Sequence, residues 1–172
     1  YVGTLVDGIG NLQILQVAND FTVPAQTEMT IMKVTMKLFA DISTGSLYIY
    51  ENNAGMPGTF IDSVENLTPT SKTFINNTFG YNVYEVVFDL PTPIAVEAGA
   101  TETIFWVGLA TTAGTEGGSN FWEAADSFNN AEAMISTDGG ASWLPNGFGQ
   151  DSAFKVEGEC ALLGMDAAIR LM

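Results

Sequence analysis

The chain contains no histidine, a single cysteine and only five basic residues among its 172. Each shortage excludes something. Without histidine there is no Ser-His-Asp triad, no Cys-His dyad and no His-ligated zinc within the chain. One cysteine, Cys160, allows neither an internal disulfide nor a multi-Cys metal site. The residue type itself predicts a small buried hydrophobe. Five Lys and Arg against twenty Asp and Glu give a net charge of -15. That excludes a nucleic-acid binder working through phosphate neutralisation and argues against docking on an anionic membrane. Long apolar runs are missing too. The most apolar stretch, Ile104 to Ala110, is far below the ~18 residues that would span a bilayer. Membrane insertion is therefore not expected.

Charged residues make up 15% of the chain, below the ~25% of an average soluble protein. Thr, Asn, Ser and Gly supply the remaining polarity, a surface suited to life outside the cell. The acidic excess is compatible with bound calcium, a salty habitat or plain solubility. The chain starts at Tyr1 rather than Met, which predicts a processed product or an excerpt of a longer polypeptide. At this size a single domain can build its own core.

Short runs of β-branched and aromatic residues are punctuated by Gly, Asn, Asp and Pro about every ten residues. This predicts an all-β, antiparallel sandwich of nine or ten strands. Leu12 to Val17 reads as a first strand, broken by Asn19-Asp20. Met29 to Phe39 reads as a long strand whose even positions are mostly apolar, with Lys33, Thr35 and Lys37 on the other face. Tyr84 to Leu90 alternates, and Pro91 and Pro93 then mark an edge or a crossing between sheets. Thr103 to Ala110 is apolar on both faces and should be a central strand. The module is expected over 1–160. Residues 161–172 form a C-terminal extension in which Leu162, Met165, Ile169 and Met172 fall at helix-compatible spacing, or else the start of a linker or strand of a following domain.

Ser136-Thr137-Asp138-Gly139-Gly140-Ala141-Ser142-Trp143 fills every position of the Asp-box pattern. Sialidase-like propellers repeat that pattern; this chain holds one copy and one arginine, Arg170. The pattern is a structural hairpin. Asp138 should accept hydrogen bonds from turn amides, the glycines permit positive φ, and Trp143 packs over the turn. A second likeness is broader. Val17-Ala18-Asn19-Asp20-Phe21-Thr22-Val23-Pro24, then Tyr48-Ile49-Tyr50-Glu51-Asn52-Asn53-Ala54-Gly55-Met56-Pro57-Gly58-Thr59, then Phe154-Lys155-Val156-Glu157-Gly158 resemble, in order, segments of secreted bacterial jelly-roll modules. Such modules sit in large secreted or surface proteins as choice-of-anchor or carbohydrate-binding-like domains. The resemblance implies a non-catalytic jelly roll working in adhesion or recognition at the bacterial cell surface. Asn52 stands where the family shows Asp.

Sugar-binding jelly rolls stack pyranose rings on exposed aromatics. Tyr48 and Tyr50 share one strand face, opposite Leu47 and Ile49, and should point outward if the aliphatic side is core. With Trp122 they are the candidate glycan contacts. Glu51, Asn52 and Asn53, with backbone carbonyls, are the candidate calcium ligands. The paired carboxylates of a glycosidase are not singled out: Glu85 and Asp89 share an outward face, and Glu97 and Glu102 flank a turn. Asp62-Ser63-Val64 and Asp151-Ser152-Ala153 resemble a bacterial O-glycosylation acceptor, and Asn66-Leu67-Thr68 and Asn76-Asn77-Thr78 fit the N-glycosylation pattern. The expected partners are a glycan or neighbouring domains or subunits. The alternative to recognition is a purely structural or assembly domain (stalk, filament or capsid-like) that binds only its neighbours. An enzyme is the least favoured reading.

Overall fold

A computed structural model describes residues 8–78, 80–115, 118–125 and 130–164. In chain order the strands are β1 (Gly8–Ile9), β2 (Gln16–Val23), β3 (Thr27–Phe39), β4 (Ile42–Asn53), β5 (Met56–Leu67), β6 (Ser71–Thr78), β7 (Tyr81–Glu97), β8 (Thr103–Ala113), β9 (Phe121–Glu123), β10 (Met134–Ser136), β11 (Leu144–Pro145) and β12 (Phe154–Leu162). They form two antiparallel sheets. The first runs β1-β9-β3-β7-β6, with β12 also on β3; the second runs β11-β10-β2-β8-β4-β5. The chain is an all-β sandwich. Only β4–β5 and β6–β7 are neighbouring hairpins among the long strands. The pairings β2–β8, β3–β7 and β3–β12 join distant parts of the chain.

The core lies between the sheets. Val34, Met36 and Leu38 of β3 and Val86 and Phe88 of β7 meet Leu47 and Ile49 of β4 and Phe105, Val107 and Leu109 of β8. Strict alternation places those side chains on one face of each strand. The strand expected to be central is so: β8 lies between β2 and β4 and is buried over Phe105 to Leu109.

Several expectations are corrected. The strand expected from Leu12 starts at Gln16 as β2 and is preceded by β1, because Leu12 to Leu15 form a turn tied down by Leu12 N–H to the Asn120 carbonyl and Leu15 N–H to the Asn11 carbonyl. Asn19 and Asp20 do not break β2; both are fully buried within it. The Asn19 Oδ1 accepts the Ser152 N–H at 2.7 Å, and Asp20 Oδ2 accepts the Asn130 amide at 2.6 Å. With one side-chain atom of each engaged in this way, these turn-forming residues occupy strand positions. Cys160 is exposed on β12 rather than buried. The strand β12 continues past residue 160 to Leu162. The helix expected at the C-terminus falls on Met165, Ile169 and Met172, which lie outside the described residues.

In β3 the apolar face changes parity at a bulge. Val34, Met36 and Leu38 are buried, but so is Ile31, while Met32 is exposed. Register shifts occur opposite Met32 on both sides, between Ile31 and Lys33 against β7 and at Glu157/Gly158 against β12. Pro91 and Pro93 lie in the part of β7 that β6 does not cover, an edge where their missing N–H is harmless.

Candidate functional site

The two tyrosines of β4 do share a face, and it is the outward one. Leu47 and Ile49 point into the core. Across the ladder, Tyr48 pairs with Gly108 and Tyr50 with Trp106. From β8, β2 adds Ala18 and Asp20 to the same outer face, opposite Gly108 and Trp106. The row across Tyr48 is thus built of small residues, Gly108 and Ala18, whereas the row across Tyr50 holds Trp106 and Asp20, and Gly108 must stay small. A Cβ there would meet the Gln16 Nε2 at 2.8 Å.

The chain then covers half of this face itself. Strand β10 pairs with β2, and the segment from Ala131 to Trp143 folds over the sheet. Ala18, Tyr50, Trp106 and Met134 form a second small core outside the main one, with Tyr48, Ala131 and Trp143 packed against it. Trp143 meets the Tyr50 ring edge-on at 5.4 Å, and Phe60 meets it at 5.9 Å. The Tyr50 hydroxyl accepts a hydrogen bond from Gln16 Nε2 at 2.8 Å. Burial, the largest influence, pushes its phenol pKa up. Tyr50 is 3% exposed, so it is removed from the ligand-contact set.

Trp122 is removed as well. It is fully buried in the main core, its indole N–H donating to the Ala153 carbonyl at 3.0 Å and its ring edge-on to Phe154. An aromatic between two sheets cannot stack on a sugar. Short sequence around a tryptophan carries no signal of which side of a sandwich it will occupy.

The loop that covers Tyr50 is the Asp138 hairpin. Asp138 Oδ1 accepts the Ser142 N–H at 2.9 Å and the Ser136 hydroxyl at 2.8 Å, and its Oδ2 accepts the Ser142 hydroxyl at 2.6 Å. The hydrogen bond from the Ser142 hydroxyl, first among several, lowers the Asp138 pKa to about 2. Ser136 Oγ in turn accepts the Gly140 N–H at 2.8 Å. Gly140, at φ 90°, lies so close over Tyr50 that a Cβ there would overlap its hydroxyl oxygen.

Tyr48 alone of the predicted contacts stays half-buried at the surface. It lines a cleft of about 230 Å³ between the Leu12–Gln16 turn and the Asp138 hairpin, together with the exposed Gln13 and Ile14, with Leu15 and Gly139, and with the buried Gln16, Thr111 and Ser136. The Thr111 hydroxyl accepts the Asn120 amide at 3.0 Å. Gln13 donates to the Gly118 carbonyl. Gln13, Gln16 and Thr111 carried no signal in sequence, because the turn and β8 meet only in three dimensions.

The expected calcium ligands lie exposed at the far end of β4. Asn53 pairs with Met56 across the hairpin, where Ala54 (φ 52°) and Gly55 (φ 84°) make the two-residue turn. The Asn52 Oδ1 is already taken by the Trp106 indole N–H at 3.0 Å and the Gly55 N–H at 3.2 Å. Glu51 and Asn52 do line an open recess of about 460 Å³ with Glu97 and Glu102. Among the described residues, no group of three acidic, Cys or His side chains is close enough to hold a metal ion. A third concavity, about 450 Å³, opens at the β3 bulge beside Met32, Leu90 and Gly158. Of the acceptor-like tripeptides, Asp62-Ser63-Val64 lies on edge strand β5, while Asp151 and Ser152 are fully buried. No protein-family model, curated protein or solved structure matches this chain.

Proposed function

We propose that the chain is a non-catalytic recognition module of jelly-roll type, secreted or held at a bacterial cell surface, whose ligand is carbohydrate. The observation that carries this reading is the Tyr48 cleft: a half-buried aromatic ring lined by the aliphatic side chains of Leu12, Ile14 and Leu15 with the exposed Gln13 amide beside them. Apolar ring plus fixed polar groups is what a sugar, with its C–H faces and hydroxyl rim, requires. The ordered resemblance to surface jelly-roll modules and the low share of charged residues, 15%, support the same reading. Calcium binding at Glu51, Asn52 and Asn53, with backbone carbonyls, remains part of the proposal.

The test is a thermal melt across a glycan panel, with calcium and with chelator. A bound ligand stabilises by RT ln(1 + [L]/Kd), so ligand at about 100 times Kd adds roughly 2.7 kcal/mol. A sugar-dependent shift that Tyr48→Ala abolishes and Tyr50→Phe retains supports the reading. No shift with any glycan overturns it. A chelator that leaves the melt unchanged overturns the calcium part alone.

One observation favours assembly as the second reading. Phe148 is 68% exposed at the tip of a loop held rigid from beneath. The Glu132 carboxylate accepts both the Gly147 and the Gly149 N–H at 3.0 Å, and Asn146 Oδ1 accepts the Phe148 N–H at 2.7 Å. A fixed, bare aromatic suits a protein neighbour. Concentration-dependent sedimentation that Phe148→Ser abolishes would favour this reading over carbohydrate.

A further inference from the structure

The basic residues are divided unequally between the two sheets. All four lysines of the described residues lie on strands of the first sheet: Lys33 and Lys37 on β3, Lys72 on β6 and Lys155 on β12. Each is already paired with a carboxylate, Lys33 with Asp89 at 3.4 Å, Lys37 with Glu123 at 3.8 Å, Lys72 with Asp41 at 2.5 Å and Lys155 with Glu157 at 2.7 Å. The strands of the second sheet (β2, β4, β5, β8, β10 and β11) contain no Lys or Arg at all. The Tyr48 cleft opens on that sheet. Its accessible lining is the Tyr48 ring, the Gln13 amide and aliphatic groups, and the nearest charge in sequence is the Asp138 carboxylate, one residue before Gly139 in the cleft wall.

We infer that the Tyr48 cleft takes a single neutral sugar ring and rejects acidic sugars. This rests on the carbohydrate reading above and narrows it to a ligand class. Recognition of a uronate, a sialic acid or a sulfated ring depends on a cation or a cluster of amide donors at the anion, since a carboxylate stripped of water without one is strongly disfavoured. The described side chains of the cleft include no cation, and the field there has the sign of the anion. A neutral ring meets no such penalty. Its C–H face lies on Tyr48 and the exposed Ile14, and its hydroxyls exchange water for the Gln13 side chain, the exposed polar group of the lining, while Gln16, Thr111 and Ser136 are buried and hydrogen-bonded within the protein. The size of the cleft sets the length. At about 230 Å³ it is smaller than the ~300–1,000 Å³ sites that hold drug-sized ligands, so it accepts one ring, at a chain end or as a branch.

The experiment titrates the full ¹⁵N-labelled chain with matched neutral and acidic sugars: glucose against glucuronate, galactose against galacturonate, and N-acetylglucosamine against its 6-sulfate. The expected result is saturable shifts at the amides of Gln13, Tyr48, Thr111 and Gly139 with a neutral sugar, lost in Tyr48→Ala. Its acidic counterpart binds about tenfold more weakly or worse, the scale of one uncompensated charge contact in a partly wet site. Gln13→Lys, an exposed position, should restore acidic-sugar binding to within a few-fold of the neutral one. Equal or tighter binding of the acidic member overturns the inference while leaving the carbohydrate reading intact. Loss of that acidic binding in Arg170→Gln would trace it to the last basic residue. Shifts with no sugar of either kind overturn both, and the folded spectrum of the unliganded protein makes that a result about binding rather than folding.

Discussion

Two tyrosines separated by one residue, on one face of one strand, have opposite environments. The difference arises three strands away, at β10. Tyr50 lies under the Asp138 hairpin and Tyr48 lies beside it. Asp20 shows the same dependence on what folds over it. It is fully buried, and burial, outweighing the hydrogen bonds from Asn130 and the Ala131 N–H, holds its carboxyl above the usual carboxylate range. A raised carboxyl pKa means that the native state binds the proton more tightly than the unfolded chain does. The Asp20 contribution is therefore fully present below the unfolded value, about pH 4, and is lost as pH rises through the native value. Asp20→Asn is expected to raise the denaturant midpoint at neutral pH, with the difference vanishing near about pH 3.5. Equal midpoints for the two proteins at both pH values would contradict this assignment.

At the scale of the strand, local backbone geometry decides where side chains go. The Met32 bulge lets β3 present Val34, Met36 and Leu38 to the core and then, past one extra residue, Ile31 as well. Its partner position, Gly158, sits so close to β3 that a Cβ would overlap the Thr30 carbonyl oxygen. Gly158→Ala should therefore cost about 1–3 kcal/mol, the range for overpacked sites, and should shift the amides of Ile31 and Lys33. A neutral effect would mean that β12 is free to move away. The β4–β5 turn has the opposite potential. Ala54 occupies the left-handed region at φ 52°, where a side chain with a Cβ is strained by roughly 1–2 kcal/mol and Asn is the better tolerated residue. Ala54→Asn is expected to stabilise the protein by about 0.5–1 kcal/mol, read as a higher urea midpoint at unchanged slope.

Over the whole molecule, a net charge of -15 on 172 residues, with the described lysines confined to one sheet, leaves the other sheet under mutual repulsion of its acids. Sodium chloride at about 1 M reduces the screening length to roughly 3 Å, so it should raise the melting temperature rather than lower it. A fall in melting temperature would show that the four ion pairs outweigh the repulsion. The same asymmetry separates the faces by role: paired charges and the β3 bulge on one side, an uncharged aromatic cleft on the other.

The all-β class, the strand spacing, the burial of β8 and the outward direction of Tyr48 and Tyr50 were legible in the sequence. They follow from alternation and turn chemistry, which act over a few residues. Local pattern was misleading where distant chain supplied the missing partner. Asn19 and Asp20 read as a break until Ser152 and Asn130 each engaged one of their side-chain atoms, and Trp122 stood among the candidate sugar contacts until the two sheets closed around it. The candidate site was half legible for the same reason. Strand parity points Tyr48 outward, but Gln13, Thr111 and Ser136 join it only because β10 folds back on β2 and the Leu12–Gln16 turn lies against β8. Parity is a property of neighbours along the chain, whereas enclosure belongs to segments more than sixty residues apart, and only the tertiary structure brings those together.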